Sequence, residues 1–66
     1  MFNANELRAE MARHGYTQKE TANCIGMSER TFGRKMKKGT FGLDEAEKIV
    51  KLFNIENPSA IFFAAE

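Results

Sequence analysis

The chain has 66 residues, 42% of them hydrophobic and 29% charged, with a formal net charge of +1. A chain of this length forms one small core and buries only about 60% of the surface that it exposes when unfolded. The single cysteine, Cys24, excludes an intramolecular disulfide, and no cysteine and histidine cluster has the spacing of a zinc site. No apolar run approaches the roughly 18 residues that span a bilayer. We therefore expect one globular domain, residues 1–66, in a reducing cytoplasm, with no metal and no cofactor.

The charges are unevenly distributed along the chain. Residues 1–16 are neutral overall, whereas residues 17–39 carry six basic and two acidic residues, a net charge of +4. Residues 40–66 carry two basic and five acidic residues, a net charge of −3. A basic middle beside an acidic C-terminal third indicates a polyanionic partner that contacts one side of the molecule.

A first helix is predicted to begin after Asn3 and to end at Gly15. Asn3 and Glu6 have the spacing of a capping box, in which the residue before the helix and the third residue within it bond each other's backbone N–H groups. Leu7 and Met11 then fall on one face of the helix.

The second helix is predicted over QKETANCI, residues 18–25, after a second capping box formed by Thr17 and Glu20. Ala22 faces inward, and Gly26 is placed to end the helix in a left-handed turn. The third helix is predicted from Glu29 to Lys38, directly after this turn.

Ser28 is the predicted cap of the third helix, and Phe32 and Met36 are its buried residues. Two helices joined by a short turn that contains glycine meet at a steep angle, which leaves the second helix free to project. The exposed face of this helix is then cationic, since its basic residues recur at i, i+4 and i+7: Arg30, Arg34 and Lys37.

A fourth helix is predicted after the GTFG connector and is closed by Asn54. Its apolar residues recur at i, i+3, i+4 and i+7: Ala46, Ile49, Val50 and Phe53. Asn57 as cap and Pro58 at the first helical position predict a short fifth helix that leads into AIFFA, residues 60–64. The predicted fold class is all-α, a compact bundle of about five short helices with a helix-turn-helix at residues 17–38.

The residue types on the third helix match the chemistry of DNA bases. The major groove accepts one α-helix, and guanine offers two acceptors to an arginine fork, so Arg30 and Arg34 are candidate base readers. Glu29 can accept from cytosine, although an acid in the first turn is also favoured by the helix dipole. Gly33 either allows the backbone to approach the partner closely or is simply a tolerated glycine.

Several residues flank this face and are candidates for contacts to phosphates. The N–H groups at the start of the second helix, after Thr17, can receive a phosphate. The remaining candidates from the sequence are Gln18, Lys19, Lys37, Lys38 and Thr40.

The segment TQKETANCIGMSERTFGRKMKKG, residues 17–39, resembles the helix-turn-helix of the Cro and phage-repressor class (lambda-repressor-like, XRE-like). It follows the pattern T-Q-x-E-x-A-x-x-hydrophobic-G-x-S, and the similarity continues through FGLDEAEKIVKLFNI and AIFFA. Two positions that are usually apolar in that class are Thr21 and Lys35 here. The resemblance implies a lambda-repressor-like DNA-binding domain of a phage or prophage repressor, or of a Cro-like switch protein, in the cytoplasm of a bacterial host.

The resemblance also implies roles for individual residues. Gln18 is expected to contact the DNA backbone and often a base, and Thr31 to lie near a phosphate or a thymine methyl group. Glu29, Arg30 and Arg34 are expected to read bases. Such proteins usually bind double-stranded DNA as homodimers on palindromic operators with half-sites about 34 Å apart.

The expected dimer interface is C-terminal. It consists of three large apolar residues in adjacent positions, which cannot all face one narrow core: Ile61, Phe62 and Phe63. The alternative is that these residues only cover a small core.

A second hypothesis is a protein-interaction module of the same fold, which binds another regulator through AIFFA or through the acidic fourth helix. Enzymatic activity is not expected, because no nucleophile, base and orienting group can be assembled from the sequence, and no catalytic residue is assigned.

Overall fold

The computed structural model of the chain describes residues 2–63. This range contains five α-helices and no strand: α1 Ala4–Arg13, α2 Gln18–Cys24, α3 Glu29–Lys38, α4 Leu43–Phe53 and α5 Ser59–Phe62. The predicted all-α fold of five short helices is confirmed. Of the AIFFA segment, Ala64 lies outside the described residues.

The helices begin where the local capping signals indicated. The Thr17 hydroxyl accepts a hydrogen bond from the Glu20 N–H at 3.1 Å, and the Glu20 carboxylate accepts one from the Thr17 N–H at 2.9 Å. The side-chain oxygens of Asn3 and Ser28 cap α1 and α3 by accepting one such bond each. The capping box predicted for Asn3 and Glu6 is only half formed, because the Asn3 N–H donates to the Ile61 carbonyl and not to the Glu6 carboxylate. Each bond satisfies a backbone N–H that has no partner within its own helix.

Three of the turns depend on backbone conformations that most residues avoid. Gly26, in the turn between α2 and α3, has φ of +81°, and Gly39, which ends α3, has φ of +69°. Asn54 ends α4 with φ of +51° and is the one non-glycine residue with positive φ among residues 2–63. These conformations let the chain reverse immediately after a helix.

Nine buried apolar residues drawn from all five helices and from the cap of α2 form the core. They are Leu7, Met11, Ala22, Ile25, Phe32, Met36, Ile49, Phe53 and Ile61. A backbone hydrogen bond of 2.6 Å from the Asn3 N–H to the Ile61 carbonyl joins the start of α1 to α5. The two ends of the described chain therefore pack on the same core.

The start of α5 differs from the prediction. Asn57 does not cap this helix with its side chain; the helix begins at Ser59, and the preceding Pro58 makes no side-chain capping bond. The carbonyl of Asn57 instead accepts the Ala60 N–H at 3.1 Å, which forms a turn ahead of the helix.

The two positions that depart from the phage-repressor pattern are both accommodated. Thr21 is 0% exposed, and its hydroxyl donates to the Thr17 carbonyl at 2.9 Å, so the buried oxygen has a partner. Lys35 is half-buried and pairs with Glu45 on α4. Met36 takes the buried position beside Phe32, and neither departure displaces the core face of α3.

Candidate nucleic-acid interface

The α2–α3 pair is held together by small and apolar residues at its crossing. Ala22 is completely buried, and its small side chain allows the two helices to approach closely. Ile25 and Phe32 are buried with it in the same core. The Met27 N–H donates to the Ala22 carbonyl at 3.0 Å, which fixes the turn against the end of α2. α3 therefore has a fixed orientation relative to α2.

α3 has one buried face and one cationic face. Phe32 and Met36 are buried, whereas Arg30, Arg34 and Lys37 are exposed. Within residues 2–63, none of these three cations pairs with a carboxylate. The charge of this face is therefore available to a polyanion.

Lys35 does not belong to this exposed set. Its ammonium group lies 2.8 Å and 2.6 Å from the two carboxylate oxygens of Glu45. The hydrogen bond from Lys35, with a further one from the Gly42 N–H, holds the pKa of the Glu45 carboxyl below its ordinary value. The pair links the last turn of α3 to the first turn of α4.

Gly33 lies on the side of α3 that faces α2. A Cβ atom added to Gly33 would lie 2.7 Å from Nε2 of Gln18, closer than a non-bonded contact allows. The side chain of Gln18 therefore occupies space that any other residue at position 33 would fill. The sequence indicated a close approach at this glycine, but the group that approaches it here is a side chain of the same molecule.

The residues predicted to contact phosphates differ in their solvent exposure and in the hydrogen bonds that they already form within the protein. Four of them are exposed on or beside the two helices: Lys19, Lys37, Lys38 and Thr40. Thr17 is engaged in the capping box, and its bonds to the Glu20 carboxylate hold the pKa of that carboxyl below the ordinary value. Thr31 is half-buried and accepts a hydrogen bond from the Ser28 hydroxyl at 3.0 Å.

A second surface lies between α4 and α5, where a groove of about 260 Å³ has an almost wholly apolar lining. Two of its large apolar residues are exposed: Leu43, at 75% of the maximum, and Phe63, at 63%. Ile61 is only 2% exposed and packs in the core, so the expectation that it contacts a partner is corrected. Phe62 is half-buried and lines the groove.

Sequence reasoning missed Leu43 as part of this surface. The signal was present, because Leu43, Ala46 and Val50 stand at i, i+3 and i+7 and continue the apolar stripe of α4 to its first residue. The stripe is wider than the core can cover, and its edge remains exposed.

A third feature is a cleft of about 430 Å³ between the end of α1 and the α4–α5 connection. The ring of His14 stacks on Phe53 with centroids 5.2 Å apart; Glu10 forms an ion pair with Arg13, and its other carboxylate oxygen lies 3.7 Å from Nε2 of His14. None of the predicted DNA-contacting residues lines this cleft. No group of three or more potential metal ligands occurs within residues 2–63.

A short capped helix, a turn through a left-handed glycine and a second helix with a free cationic face define a DNA-binding helix-turn-helix protein. The chain belongs to the Fis family of bacterial regulatory proteins, whose family model matches residues 1–39, more than half of the 66 residues. The match covers α1, α2 and α3, and α4 and α5 lie beyond it. No curated protein and no solved structure matches the chain.

These comparisons establish a DNA-binding transcription regulator with a helix-turn-helix. The family match does not extend to the Cro and phage-repressor class. None of the helices in the described part of the chain combines the length and the apolar character that a membrane crossing requires.

Proposed function

We propose that this chain is a sequence-specific regulator that places α3 in the major groove of double-stranded DNA. The observation that carries the proposal is the exposed cationic face of Arg30, Arg34 and Lys37, which forms no ion pair within residues 2–63 and lies opposite the buried residues of the same helix. A helix fits this groove, and its exposed arginines match the acceptor pair of guanine. The whole chain, residues 1–66, acts as one DNA-binding domain.

Base reading is assigned to the residues at the start and middle of α3. Arg30 and Arg34 read guanines through paired hydrogen bonds, and Glu29 accepts from cytosine at the end of the helix that enters the groove first. Gly33 is assigned to this reading surface because it has no side chain to stand between the α3 backbone and the partner; the space beside it is occupied by the end of the Gln18 side chain. All four residues are in one helix, so their relative positions are rigid.

Contacts to the phosphates fix the position of α3 without reading sequence. We assign them to the side chains and backbone groups on either side of the cationic face: Thr17, Gln18, Lys19, Thr31, Lys37, Lys38 and Thr40. The lysines among them are exposed and serve as point charges toward phosphate oxygens. They make the affinity dependent on salt.

We further propose that the regulator is a phage or prophage repressor, or a Cro-like switch protein, which binds a palindromic operator as a homodimer. The motif resemblance at residues 17–39 supports the class. The apolar groove supports the pairing, because Leu43 and Phe63 in its lining are exposed in the single chain and are covered if a second copy packs against them. Phe62 and Phe63 then contact the second copy, and Ile61 supports them from the core.

Selection of bound fragments from random duplexes by the purified protein tests this function directly. We expect a palindromic consensus whose two halves are separated by about one helical turn, as for paired reading helices. Binding to the selected duplex is expected to weaken steeply as the salt concentration rises. Recovery of no consensus at low salt would contradict the proposal.

The second candidate function is a protein-interaction module, and the same groove between α4 and α5 is the observation that favours it. A module of this kind binds another regulator through α4 and α5 and makes no use of α3. Its affinity for that protein is then insensitive to salt and unchanged by Arg34→Ala. Binding to an operator, in contrast, weakens with rising salt concentration and with the loss of Arg34.

A further inference from the structure

We propose that Glu45, a residue of α4, withholds Lys35 from the phosphates of DNA and so lowers the affinity of α3 for DNA of any sequence. The inference rests on the proposed function, since it assumes that α3 lies in the major groove. It adds a residue outside the helix-turn-helix that limits how many basic side chains of α3 contact the DNA backbone. Glu45 acts only through Lys35 and is therefore a positioning residue.

Lys35 lies on the flank of α3, beside two residues that are assigned to phosphates. At about 100° per residue, Lys35 is about 40° from Thr31 and about 60° from Lys38 around the helix. Its flexible four-carbon stem carries a compact charge, which is the form in which a lysine contacts a phosphate. Position 35 is therefore suited to one more contact with the DNA backbone.

Lys35 differs from the other basic residues of α3 because it has a carboxylate partner. Its Nζ atom lies 2.8 Å from Oε1 and 2.6 Å from Oε2 of Glu45, so both oxygens accept from one ammonium group. Within residues 2–63, none of the other basic residues of α3 forms an ion pair. The charge of Lys35 is thus subtracted from the charge that α3 offers to a polyanion.

The carboxylate of Glu45 is also anchored to its own helix. Its Oε1 atom accepts a further hydrogen bond from the Gly42 N–H at 2.9 Å, at the start of α4. The side chains of Lys35 and Glu45 are only 24% and 25% exposed, so solvent and salt screen their attraction less than that of an exposed pair. The anchored acid therefore retains the lysine while α3 is bound to DNA.

Withholding one lysine affects binding to all sequences. Contacts to phosphates supply affinity and its dependence on salt, but they carry no sequence information. A free lysine at position 35 would therefore tighten binding to an operator and to unrelated DNA alike. A genome offers about 10⁶–10⁹ competing non-specific sites, so a weaker sequence-independent affinity leaves less of the regulator bound to them.

A double-mutant cycle tests this role. The four proteins are the unaltered chain, Glu45→Gln, Lys35→Met and the double variant, and the probe is a duplex of scrambled sequence at several salt concentrations. Glu45→Gln keeps an acceptor for the Gly42 N–H and frees Lys35. It is expected to bind the duplex more tightly at low salt, with a salt slope steeper by about 0.9.

The steeper slope means that the gain in affinity of Glu45→Gln should shrink about three- to fourfold between roughly 50 and 200 mM salt. Lys35→Met and the double variant are expected to keep the salt slope of the unaltered chain, since neither has a free lysine at position 35. The slope is a readout that a merely structural role would not move in this direction, because a loss of structure weakens DNA binding.

Glu47→Gln is the matched control for net charge. Glu47 is exposed, lies in the same helix as Glu45 and forms no ion pair within residues 2–63. The substitution removes the same charge as Glu45→Gln but frees no lysine. We therefore expect it to keep the salt slope of the unaltered chain.

The carboxyl ¹³C signal of Glu45 supplies a second measurement on the unaltered chain, with Lys35→Met as the reference for an unpaired carboxylate. The signal is expected to keep its position when the scrambled duplex is added, because the ion pair persists. A shift to the position seen in Lys35→Met would show that Lys35 leaves Glu45 for a phosphate, and would overturn the inference.

Other results of the titrations would also overturn it. An unchanged salt slope for Glu45→Gln would show that the freed lysine does not reach a phosphate. Equal steepening in Glu45→Gln and in either the double variant or Glu47→Gln would mean that the acid acts through net charge alone. These results leave the proposed function intact, whereas failure of the unaltered chain to bind any duplex at low salt would remove the proposed function and the inference together.

Discussion

The carboxylate of Glu45 accepts hydrogen bonds from the Lys35 ammonium group at 2.6 and 2.8 Å and from the Gly42 N–H at 2.9 Å. One acidic side chain thus neutralises a lysine of α3 and caps α4 at the same time. Because both partners are half-buried, the pair is shielded from solvent more than a surface ion pair. It fixes the end of α3 against α4.

The first prediction concerns acid stability. The folded-state pKa of Glu45 is lowered from 4.5, so its contribution to stability is complete above pH 4.5 and is lost as the pH falls through the lowered value. Glu45→Gln keeps an acceptor for the Gly42 N–H but removes the charge, and should lower the free energy of unfolding at pH 7 by about 1 kcal/mol. Urea unfolding from pH 7 to pH 3 measures the difference, which should shrink as the pH falls below 4.5.

The free energy of unfolding should still depend on pH in both the unaltered chain and Glu45→Gln, because the pKa of Glu20 is also lowered by its bonds to Thr17. Glu20→Gln with Glu45 intact is the matched control for that second group, because it removes the carboxylate that accepts the Thr17 N–H. A constant difference between the unaltered chain and Glu45→Gln over the whole pH range would contradict the role of the ion pair.

The second prediction separates the two kinds of basic residue in α3. Arg34→Ala should reduce the preference for the selected operator by about 1–3 kcal/mol, since it removes a base contact. Lys38→Ala should weaken binding to all duplexes similarly and reduce the salt slope by about 1. Lys35→Met is the matched control: its charge is already paired with Glu45, so the salt slope should not change. Titrations of the three variants with specific and scrambled duplexes at several salt concentrations measure their affinities and salt slopes. A changed salt slope for Lys35→Met would contradict the conclusion that the charge of Lys35 is not used in DNA binding.

Features that depend on a few consecutive residues could be predicted from the sequence. The caps at Asn3, Thr17 and Ser28 and the left-handed end of α4 at Asn54 each depend on contacts within about four residues. The core face of α3 follows from periodicity alone and is confirmed; of the apolar stripe of α4, Ile49 and Phe53 are in the core, whereas Ala46 and Val50 are half-buried and line the groove.

Features that depend on tertiary contacts could not be predicted in the same way. The partners Lys35 and Glu45 are ten residues apart, and nothing in either helix specifies that they meet. The contact of Gln18 with Gly33 requires the crossing of α2 and α3 to be known first. For the same reason the sequence could not determine that Ile61 turns inward while Phe63 turns outward.

The third prediction tests the conformation of the turn between α2 and α3. Gly26 has φ of +81°, and no atom lies within 4 Å of the position of an added Cβ, so a substitution there changes backbone energy and creates no collision. Gly26→Ala should reduce the free energy of unfolding by roughly 1–2 kcal/mol. Gly26→Asn should cost less, because asparagine adopts this conformation more readily. Thermal unfolding of both variants measures the change in stability. Equal losses of stability in Gly26→Ala and Gly26→Asn would mean that residue 26 does not keep the left-handed conformation in solution.

The fourth prediction concerns the buried hydroxyl of Thr21. It donates to the Thr17 carbonyl, which already accepts the Thr21 N–H at 3.0 Å, so removing the hydroxyl leaves no buried group without a partner. Thr21→Val should therefore keep or raise the free energy of unfolding, by up to about 1 kcal/mol. Thr21→Ser, which keeps the hydroxyl and removes the methyl group, should lower it by a similar amount. A larger decrease in the free energy of unfolding for Thr21→Val than for Thr21→Ser would show that the hydroxyl group contributes more to stability than the methyl group does.

The fifth prediction tests pairing through the groove between α4 and α5. Leu43 and Phe63 are largely exposed in the single chain, so replacing either with glutamate should leave the melting temperature of the isolated chain nearly unchanged. In a dimer the same substitution buries a charge and removes an apolar contact worth roughly 1.5–3 kcal/mol, which corresponds to at least about a tenfold weaker dimer. Ala9→Glu, an exposed position on α1 that does not line the groove, introduces the same charge as a control.

Sedimentation equilibrium over a range of protein concentrations measures these dimer constants, and titration of the selected operator shows their effect on function. Leu43→Glu and Phe63→Glu should shift the chain to monomers and weaken binding to the full palindrome, while binding to a single half-site stays the same. This pattern follows because α3 is unaltered and only the linkage between two reading helices is lost. Unaltered dimer constants in both variants, or a monomeric unaltered chain on the palindrome, would exclude the groove as the pairing surface and would favour a different protein as its occupant.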